Sequence, residues 1–377
     1  MIYFDHSATS LEKPKQVKEN MIFALEHFGN PNRGIHAPSL MGNRQIFNTR
    51  KALAKLISAP SPDTIVFATS GTHALNLALL GLFSSGDHLM TGTWSHNSVL
   101  RPLYHLEKQG ISLSIVSQVH HFSLEEIQKQ ITPKTKALIL SHASNVTGAY
   151  CDLVEIGKFC HEKNLLFIVD AAQTIGLLPI NVTEMHIDIL CFSGHKSLYG
   201  PTGTGGLYVS PQLSLRPLLF GGSGNNSFSQ EQPSSMPERL EAGTLNVTGI
   251  SGLLGALEWI ESIGQEAILA HQENLTQIFT EEVKKIPQIT LYGRENYNLP
   301  VVALNIEGKD SSVLSDILWH KGALACRGGI HCAPLLHQDY MTETQGMLRF
   351  SFSFFNTEEE ILQGISLLKD LASSFVL

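Results

Sequence analysis

Cysteine is scarce in this chain, and what there is does not pair: the five cysteines among 377 residues include no CxxC motif. An odd, scattered set argues against a disulfide framework or a zinc ribbon. Despite 17 histidines there is no HExxH or comparable spacing, so no metal site is expected. Long apolar runs are missing too; none approaches the ~20 residues that a membrane helix needs. The opening Met1-Ile2-Tyr3-Phe4-Asp5-His6 lacks the basic end and apolar stretch of a signal peptide. Basic residues are outnumbered, 26 Lys and Arg against 34 Asp and Glu for a net charge of −8. No basic stripe with interleaved aromatics occurs, which argues against nucleic acid as a partner. Internal repeats are absent. What remains is 43% hydrophobic and 16% charged, enough for a large core and without a mark of disorder. The expectation is a cytoplasmic, reduced enzyme with no membrane association.

The first residues read as a short arm. Apolar residues at helical spacing follow over 14–28, and Gly29-Asn30-Pro31-Asn32-Arg33-Gly34 breaks the pattern. The arginine there reads as a solvated turn residue. Ser39 is the expected N-cap of a helix running to about Ile57. From residue 64, short apolar runs alternate with longer amphipathic ones. Expected strands lie at 64–68, 88–92, 113–116, 137–141, 165–170, 187–192 and 206–210. Expected helices lie at 73–83, 97–109, 124–131 and 153–163, with a short one at 182–185. Few polar residues interrupt the strands, which predicts a mostly parallel seven-stranded α/β sheet covered by helices on both faces. Residues 221–243 form a Gly/Ser/Asn/Pro-rich loop of a length that is usually functional or flexible. A helix pair (249–263, 265–286), strands at 289–292, 301–306 and 348–352, and helices at 311–321 and 357–374 make a smaller α+β unit. The expected organisation is an arm of residues 1–15, a large α/β domain of 16–250 and a small C-terminal domain of 251–377, which the N-terminal residues can also join.

Several polar motifs fall where predicted strands end, the place where ligands collect in such sheets. Lys196, in Ser193-Gly194-His195-Lys196, is the most informative. A buried ammonium is costly unless paired or neutralised. A Schiff base with a carbonyl cofactor such as pyridoxal phosphate neutralises it; a solvated loop lysine is the alternative. Asp170 ends the most apolar strand and needs a partner, a pyridine nitrogen or a helix N-terminus. Thr69-Ser70-Gly71-Thr72 suits either an anion or a simple cap. His96, past another strand, could stack on a planar ring and shuttle protons, and Asn145 could donate to a ligand oxygen. Cys332, in Arg327-Gly328-Gly329-Ile330-His331-Cys332, has Arg327 and His331 nearby to favour its thiolate. Cys151, Cys160, Cys191 and Cys326 read as structural. Arg349, in an apolar strand, implies an anionic partner, either a substrate carboxylate or a core salt bridge.

Together the strings DAAQ, SGHKSLYGPTGTGGLYV, EAGTLN, RGGIHCA and LRFSFSFFNTEEEI resemble the fold-type I, class V aminotransferase-like enzymes, and among them the cysteine desulfurase and selenocysteine lyase group. The resemblance runs nearly end to end. It implies pyridoxal 5'-phosphate as cofactor, with Lys196 as its Schiff base, Asp170 on the pyridine nitrogen, Gln173 on the ring hydroxyl and His96 stacked on the ring. It implies Gly71, Thr72, Ser193 and His195 as phosphate ligands. In a homodimer, Thr244 would reach the neighbouring subunit's phosphate. Asn145, Arg327 and Arg349 would position the substrate, and Cys332 would accept sulfur from L-cysteine before passing it to a protein acceptor. The implied activity is cysteine desulfuration, with selenocysteine lyase action on L-selenocysteine, or another aminotransferase or epimerase reaction, as alternatives. His73 stands where the family most often has an acidic residue, Leu245 replaces a usual proline, and His6 replaces a usual asparagine. The short stretch from Cys332 to Arg349 resembles the branch with an ordered cysteine loop.

Overall fold

The computed structural model describes residues 1–31, 34–119, 123–224, 227–294 and 298–374. Asn32 and Arg33 of the expected turn lie outside them. The chain begins β1 (Ile2–Tyr3), α1 (Lys15–His27), α2 (Ala37–Leu56), β2 (Ile65–Ala68), α3 (Gly71–Leu82), β3 (His88–Gly92) and α4 (Asn97–Lys108). It continues β4 (Ser112–Val116), α5 (Leu124–Gln130), β5 (Thr135–Ser141), α6 (Leu153–Glu162), β6 (Leu166–Asp170), β7 (Ile189–Ser193) and β8 (Gly205–Val209). Then come α7 (Val247–Ile263), α8 (Gln265–Val283), β9 (Ile289–Tyr292), β10 (Val301–Ile306), α9 (Ser311–Gly322), β11 (Leu324–Ala325), α10 (Pro334–Asp339), β12 (Leu348–Ser351) and α11 (Glu358–Ser373).

The seven expected strands join one sheet in the order β2-β8-β7-β6-β5-β3-β4. All its pairings are parallel except those of β8, which runs against both β7 and β2. Side chains alternate between two apolar layers. Ile65, Phe67, Leu138, Leu140, Phe167 and Val169 enter one; Val66, Ala137, Ile139 and Ile168 enter the other, under α3 and α4. Period-two alternation with both sets apolar is what a sheet buried on both faces requires. Ser141 pairs in register with Asp170, and Asp170 with Cys191. The carboxyl ends of β5, β6 and β7 therefore open at one edge, which positions the site.

A third core joins Leu275, Phe279 and Val283 of α8 to β10, β12 and α11, and it includes Ile2 and Phe4. Here β9, β10 and β12 form an antiparallel sheet with β10 central, and β1 pairs in parallel with β11. A boundary at residue 250 would fall inside α7, whose Leu253, Ala256 and Ile260 belong to the large core. We propose that the divide runs along α8, where Ile268 packs with the large core and Leu275 with the small one.

Two expected features differ. His36, not Ser39, precedes the first turn of α2, because Pro38 suits the first helical positions; Ser39 is buried in that turn and donates to the Asn30 carbonyl at 2.8 Å. Residues 182–185 form no helix. Asn181 Oδ1 accepts from the Thr183 and Glu184 N–H groups at 3.1 and 3.2 Å, which holds a turn instead.

The loop expected at 221–243 is pinned at its end. Glu241 accepts from both Arg50 Nη atoms, at 2.8 and 2.6 Å, and from the Phe67 N–H at 2.6 Å. The guanidinium also lies over the Phe67 ring at 4.6 Å. Both partners are buried, so truncating Glu241 strands a cation. Glu241→Ala is expected to lower the unfolding free energy by about 3–5 kcal/mol in denaturant titration. A loss below about 1 kcal/mol, the scale of an exposed pair, would show that the pair does not anchor the loop.

Candidate active site

A cavity of about 250 Å³ sits at the carboxyl edge of the sheet. Lys196, Asp170, Gln173, His96, Asn145 and Cys332 line it, as do Gly71, Thr72, Ser193, His195, Arg327 and Arg349. Thr244 alone among the predicted site residues does not; it is exposed in the segment after Glu241.

Lys196 is partly accessible through the cavity, yet protein surrounds it closely enough to lower its pKa to about 8. Desolvation is the main cause. The Asp170 charge opposes it, while Arg349 and Arg327 act with it. Asp170 is itself pushed up by burial, against the Ala172 N–H bond at 3.1 Å and the charge of Lys196. The loop carrying Lys196 is held from both sides. Ser197 Oγ donates to the Ile175 carbonyl at 2.8 Å, and the Ser10 N–H of the N-terminal arm reaches the His195 carbonyl at 3.0 Å.

At the other end, Ser70 caps α3 by accepting the His73 N–H at 3.1 Å. That leaves the first-turn N–H groups of Gly71 and Thr72 outside the cap, so the loop both caps and presents donors. Gly71 packs closely on Ser193: a Cβ there would stand 2.5 Å from Ser193 Oγ and would force that hydroxyl to move. His73 folds back on Thr69, its Nδ1 3.3 Å from the Thr69 N–H. His195 contacts Thr9 Oγ1 at 3.1 Å, and its pKa falls to about 4 through burial and the nearby Lys196 and Lys13 charges.

His96 precedes α4 and accepts the Ser98 N–H on Nδ1 at 3.0 Å. Its proton therefore resides on Nε2. Burial, followed by the charges of Lys196 and three arginines, lowers its pKa to about 4, so the ring is neutral.

The cysteine loop is short and tied down. Asn145 Nδ2 donates to the His331 carbonyl at 2.8 Å, the Asn97 N–H to the Cys332 carbonyl at 2.8 Å, and the Gly329 N–H to Ser311 Oγ at 3.0 Å. His331 and Cys332 both adopt positive φ, 50° and 58°, a backbone state that persists only where its surroundings enforce it. Cys332 is the exposed cysteine of the chain; Cys151, Cys160 and Cys191 are buried and Cys326 is intermediate.

Three expectations change here. His331 does not assist the thiolate with a positive charge: burial holds its pKa well below the usual value, and Nε2 bonds the Met347 carbonyl at 2.8 Å. Asn145 spends one of its two Nδ2 hydrogens on the loop, and its Oδ1 is buried with no protein partner, so it adds an acceptor to the expected donor. Arg349 does make the core pair, Nη2 to Asp5 at 2.5 Å, and Nη1 donates to the Asn145 carbonyl at 2.8 Å. Its Nε stays buried without a partner. Sequence reasoning missed Ser7 and Ala8 of the arm and Ser98 and Ser141 of the wall. A carboxylate directly after Tyr3-Phe4 was the signal that the arm is held inward.

Fold and site together define a class: a family model described as Aminotransferase class-V matches residues 2–363, and the chain belongs to that family. Within it, the chain is 33% identical to a probable cysteine desulfurase of Pyrococcus abyssi, over 99% of this chain and 95% of the relative. It is 32% identical to a cysteine desulfurase of Escherichia coli O139:H28, over 96% and 91%. Among solved structures, the apo cysteine desulfurase of Thermococcus onnurineus superposes with a TM-score of 0.93 at 33% identity, covering 99% of this chain and 95% of that one. The Escherichia coli cysteine desulfurase CsdA in its S-sulfonic acid form gives 0.89 at 28% identity, covering 100% and 95%. Among the described residues there is no cluster suited to a metal ion and no helix long and apolar enough to cross a membrane.

The Lys196 environment predicts a titration. In the cofactor-free protein, the rate of Lys196 reductive methylation should rise through a midpoint near pH 8, well below an ordinary lysine. Asp170→Asn removes the charge that holds the ammonium form, so the midpoint should move lower still. A midpoint near 10, read by mass spectrometry of the labelled peptide, would mean that the amine is solvated.

Proposed function

We propose that the protein is a pyridoxal 5'-phosphate-dependent cysteine desulfurase. It takes sulfur from L-cysteine, releases L-alanine and holds the sulfur as a persulfide on Cys332 for transfer to an acceptor. The observation that carries this reading is the meeting, in one cavity, of a lysine with a lowered pKa beside a buried carboxylate and an exposed cysteine on a fixed loop.

The residues present fit the cofactor. Gly71 lets the start of α3 pack close to Ser193, which brings that hydroxyl beside the first-turn N–H groups, a favourable setting for a phosphate. Thr72, Ser193 and His195 complete that end. Asp170 is a buried anion with one backbone partner, suited to a protonated ring nitrogen. Gln173, whose Nε2 donates to the Ser7 carbonyl at 3.1 Å, would meet the ring hydroxyl, and the neutral His96 ring would stack on the cofactor. Lys196 would carry the aldehyde carbon.

When bound, pyridoxal phosphate supplies a sink for the electron pair left when the substrate Cα loses its proton. Lys196 Nζ, neutral in a substantial fraction near pH 8, takes that proton. Arg349 Nε and Arg327 face the substrate carboxylate, and Asn145 Oδ1 accepts from the substrate. The Cys332 thiolate attacks the substrate sulfur: an S–S bond forms as the Cβ–S bond breaks, and the electron pair stays with carbon, which takes a proton. His96, holding its proton on Nε2, is placed to relay it. Alanine leaves, and Cys332 retains the transferred sulfur.

We also propose a homodimer in which Thr244 reaches the neighbouring subunit's phosphate site. Exposed apolar residues on α1 and α2, Leu25, Leu40 and Phe47 among them, support this reading.

Incubation of the holoenzyme with L-cysteine should release alanine and leave a persulfide on Cys332, detected by mass spectrometry. Cys332→Ala should lose sulfur transfer by roughly two orders of magnitude or more while keeping the cofactor absorbance. Full transfer by that variant would remove Cys332 from the mechanism. L-selenocysteine run alongside measures the preference, since a selenium substrate can dispense with the thiol.

A further inference from the structure

A second, smaller cavity of about 40 Å³ lies behind the active site, and Lys196, Ser7 and Gln173 line both. Two of its lining residues carry polar atoms that the protein leaves without a partner: His6 Nδ1 and Gln272 Oε1. Both residues are buried, at 8% and 4% exposure. Gln272 Nε2 already donates to Tyr199 Oη at 3.0 Å and to the Phe352 carbonyl at 3.2 Å, so only its oxygen is left. Lys196 itself donates no side-chain hydrogen bond among the described residues; only burial and surrounding charges act on it.

Buried polar atoms are rarely left orphaned, and ordered water is the usual partner. The cavity exceeds the roughly 10–15 Å³ that one water requires. A water donating to Gln272 Oε1 can bond His6 Nδ1 with its other hydrogen or a lone pair, whichever tautomer His6 adopts. It still has a lone pair for an N–H donor. We propose that this cavity holds an ordered water, bound by His6 and Gln272, that accepts from the Lys196 amine, and that His6 is thereby a positioning residue for Lys196. The water site stands independently of the reaction; its part in proton transfer by Lys196 rests on the function proposed above.

Such a water favours the ammonium form of Lys196. The charged groups acting on Lys196 are Asp170 and Cys332, which hold the proton on, and Arg349 and Arg327, which drive it off. Those acting on His6 are burial, which lowers its pKa to about 4, with Lys13 adding to the effect and the Tyr3 backbone opposing it. His6 is therefore neutral near pH 7, and none of the other groups changes when it is replaced.

The test uses crystals of the wild type, His6→Leu and His6→Asn, together with the Lys196 methylation midpoint of each cofactor-free protein. Wild type should show a density peak about 2.6–3.2 Å from His6 Nδ1, Gln272 Oε1 and Lys196 Nζ. His6→Leu should lose it and drop the midpoint by roughly half a pH unit. His6→Asn, which keeps a polar side chain, should restore both. A dry cavity in wild type, or an unmoved midpoint in a folded His6→Leu, overturns the proposal. The wild-type density decides the water even if the leucine variant does not fold. Neither readout depends on alanine release, so a failure of the desulfurase reading would be seen separately.

Discussion

The site depends on a charge balance around one amine. Lys196 lies within reach of two guanidiniums, Arg327 and Arg349, and of one well-buried carboxylate, Asp170. Placed together in a protein-walled cavity, the cations would repel and each would lose hydration. The fold resolves this in two ways. Asp170 is set on the neighbouring strand end by the register of β6 with β7, and Asp5 draws off part of the Arg349 charge through a direct ion pair. What remains is a lysine held near its titration point, the condition under which one group can both give and take a proton at physiological pH.

The Asp5 pair also explains why the amino end of the chain belongs to the site. Asp5 reaches across 344 positions to Arg349. The Ser351 N–H bonds the Phe4 carbonyl at 2.7 Å, and Phe4 packs against Phe352 with ring centroids 4.9 Å apart. The arm is thus fixed to β12 before it passes Ser7 and Ala8 along the cavity wall and hands Ser10 to the Lys196 loop. The arm thereby links β12 of the small unit directly to the loop that carries Lys196.

The sheet was legible because its strands are short apolar runs bounded by turn residues, and β9 and β10 match the expected spans residue for residue. β1 and β11 are two-residue strands, too short for any periodicity to register. α10 begins at Pro334 and spans six residues, below the length at which a helical pattern separates from a loop. Side-chain identity located the site: Lys196, Asp170, His96 and Cys332 converge. It did not disclose how each donor is spent. That His331 is tied to Met347, and that Asn145 gives one N–H to the His331 carbonyl and keeps a free buried oxygen, are facts of three-dimensional contact between distant positions, and local sequence carries no trace of them.

The state of the cysteines follows from the same packing. Burial pushes the thiols of Cys151, Cys160 and Cys326 up to about 12, and that of Cys191 well above its usual value. None of these is a nucleophile near neutral pH, because the thiolate is the reactive form. Cys332, by contrast, is exposed. Gly328 lies so close to Ser311 that a Cβ would stand 2.2 Å from the Ser311 carbonyl oxygen, and the positive φ of His331 and Cys332 turns the chain back toward Asn97. In the function proposed above, a thiol that meets a substrate inside the cavity and later an acceptor outside it would need an exposed position on a loop that does not wander. The anchored, strained turn from 328 to 332 provides both.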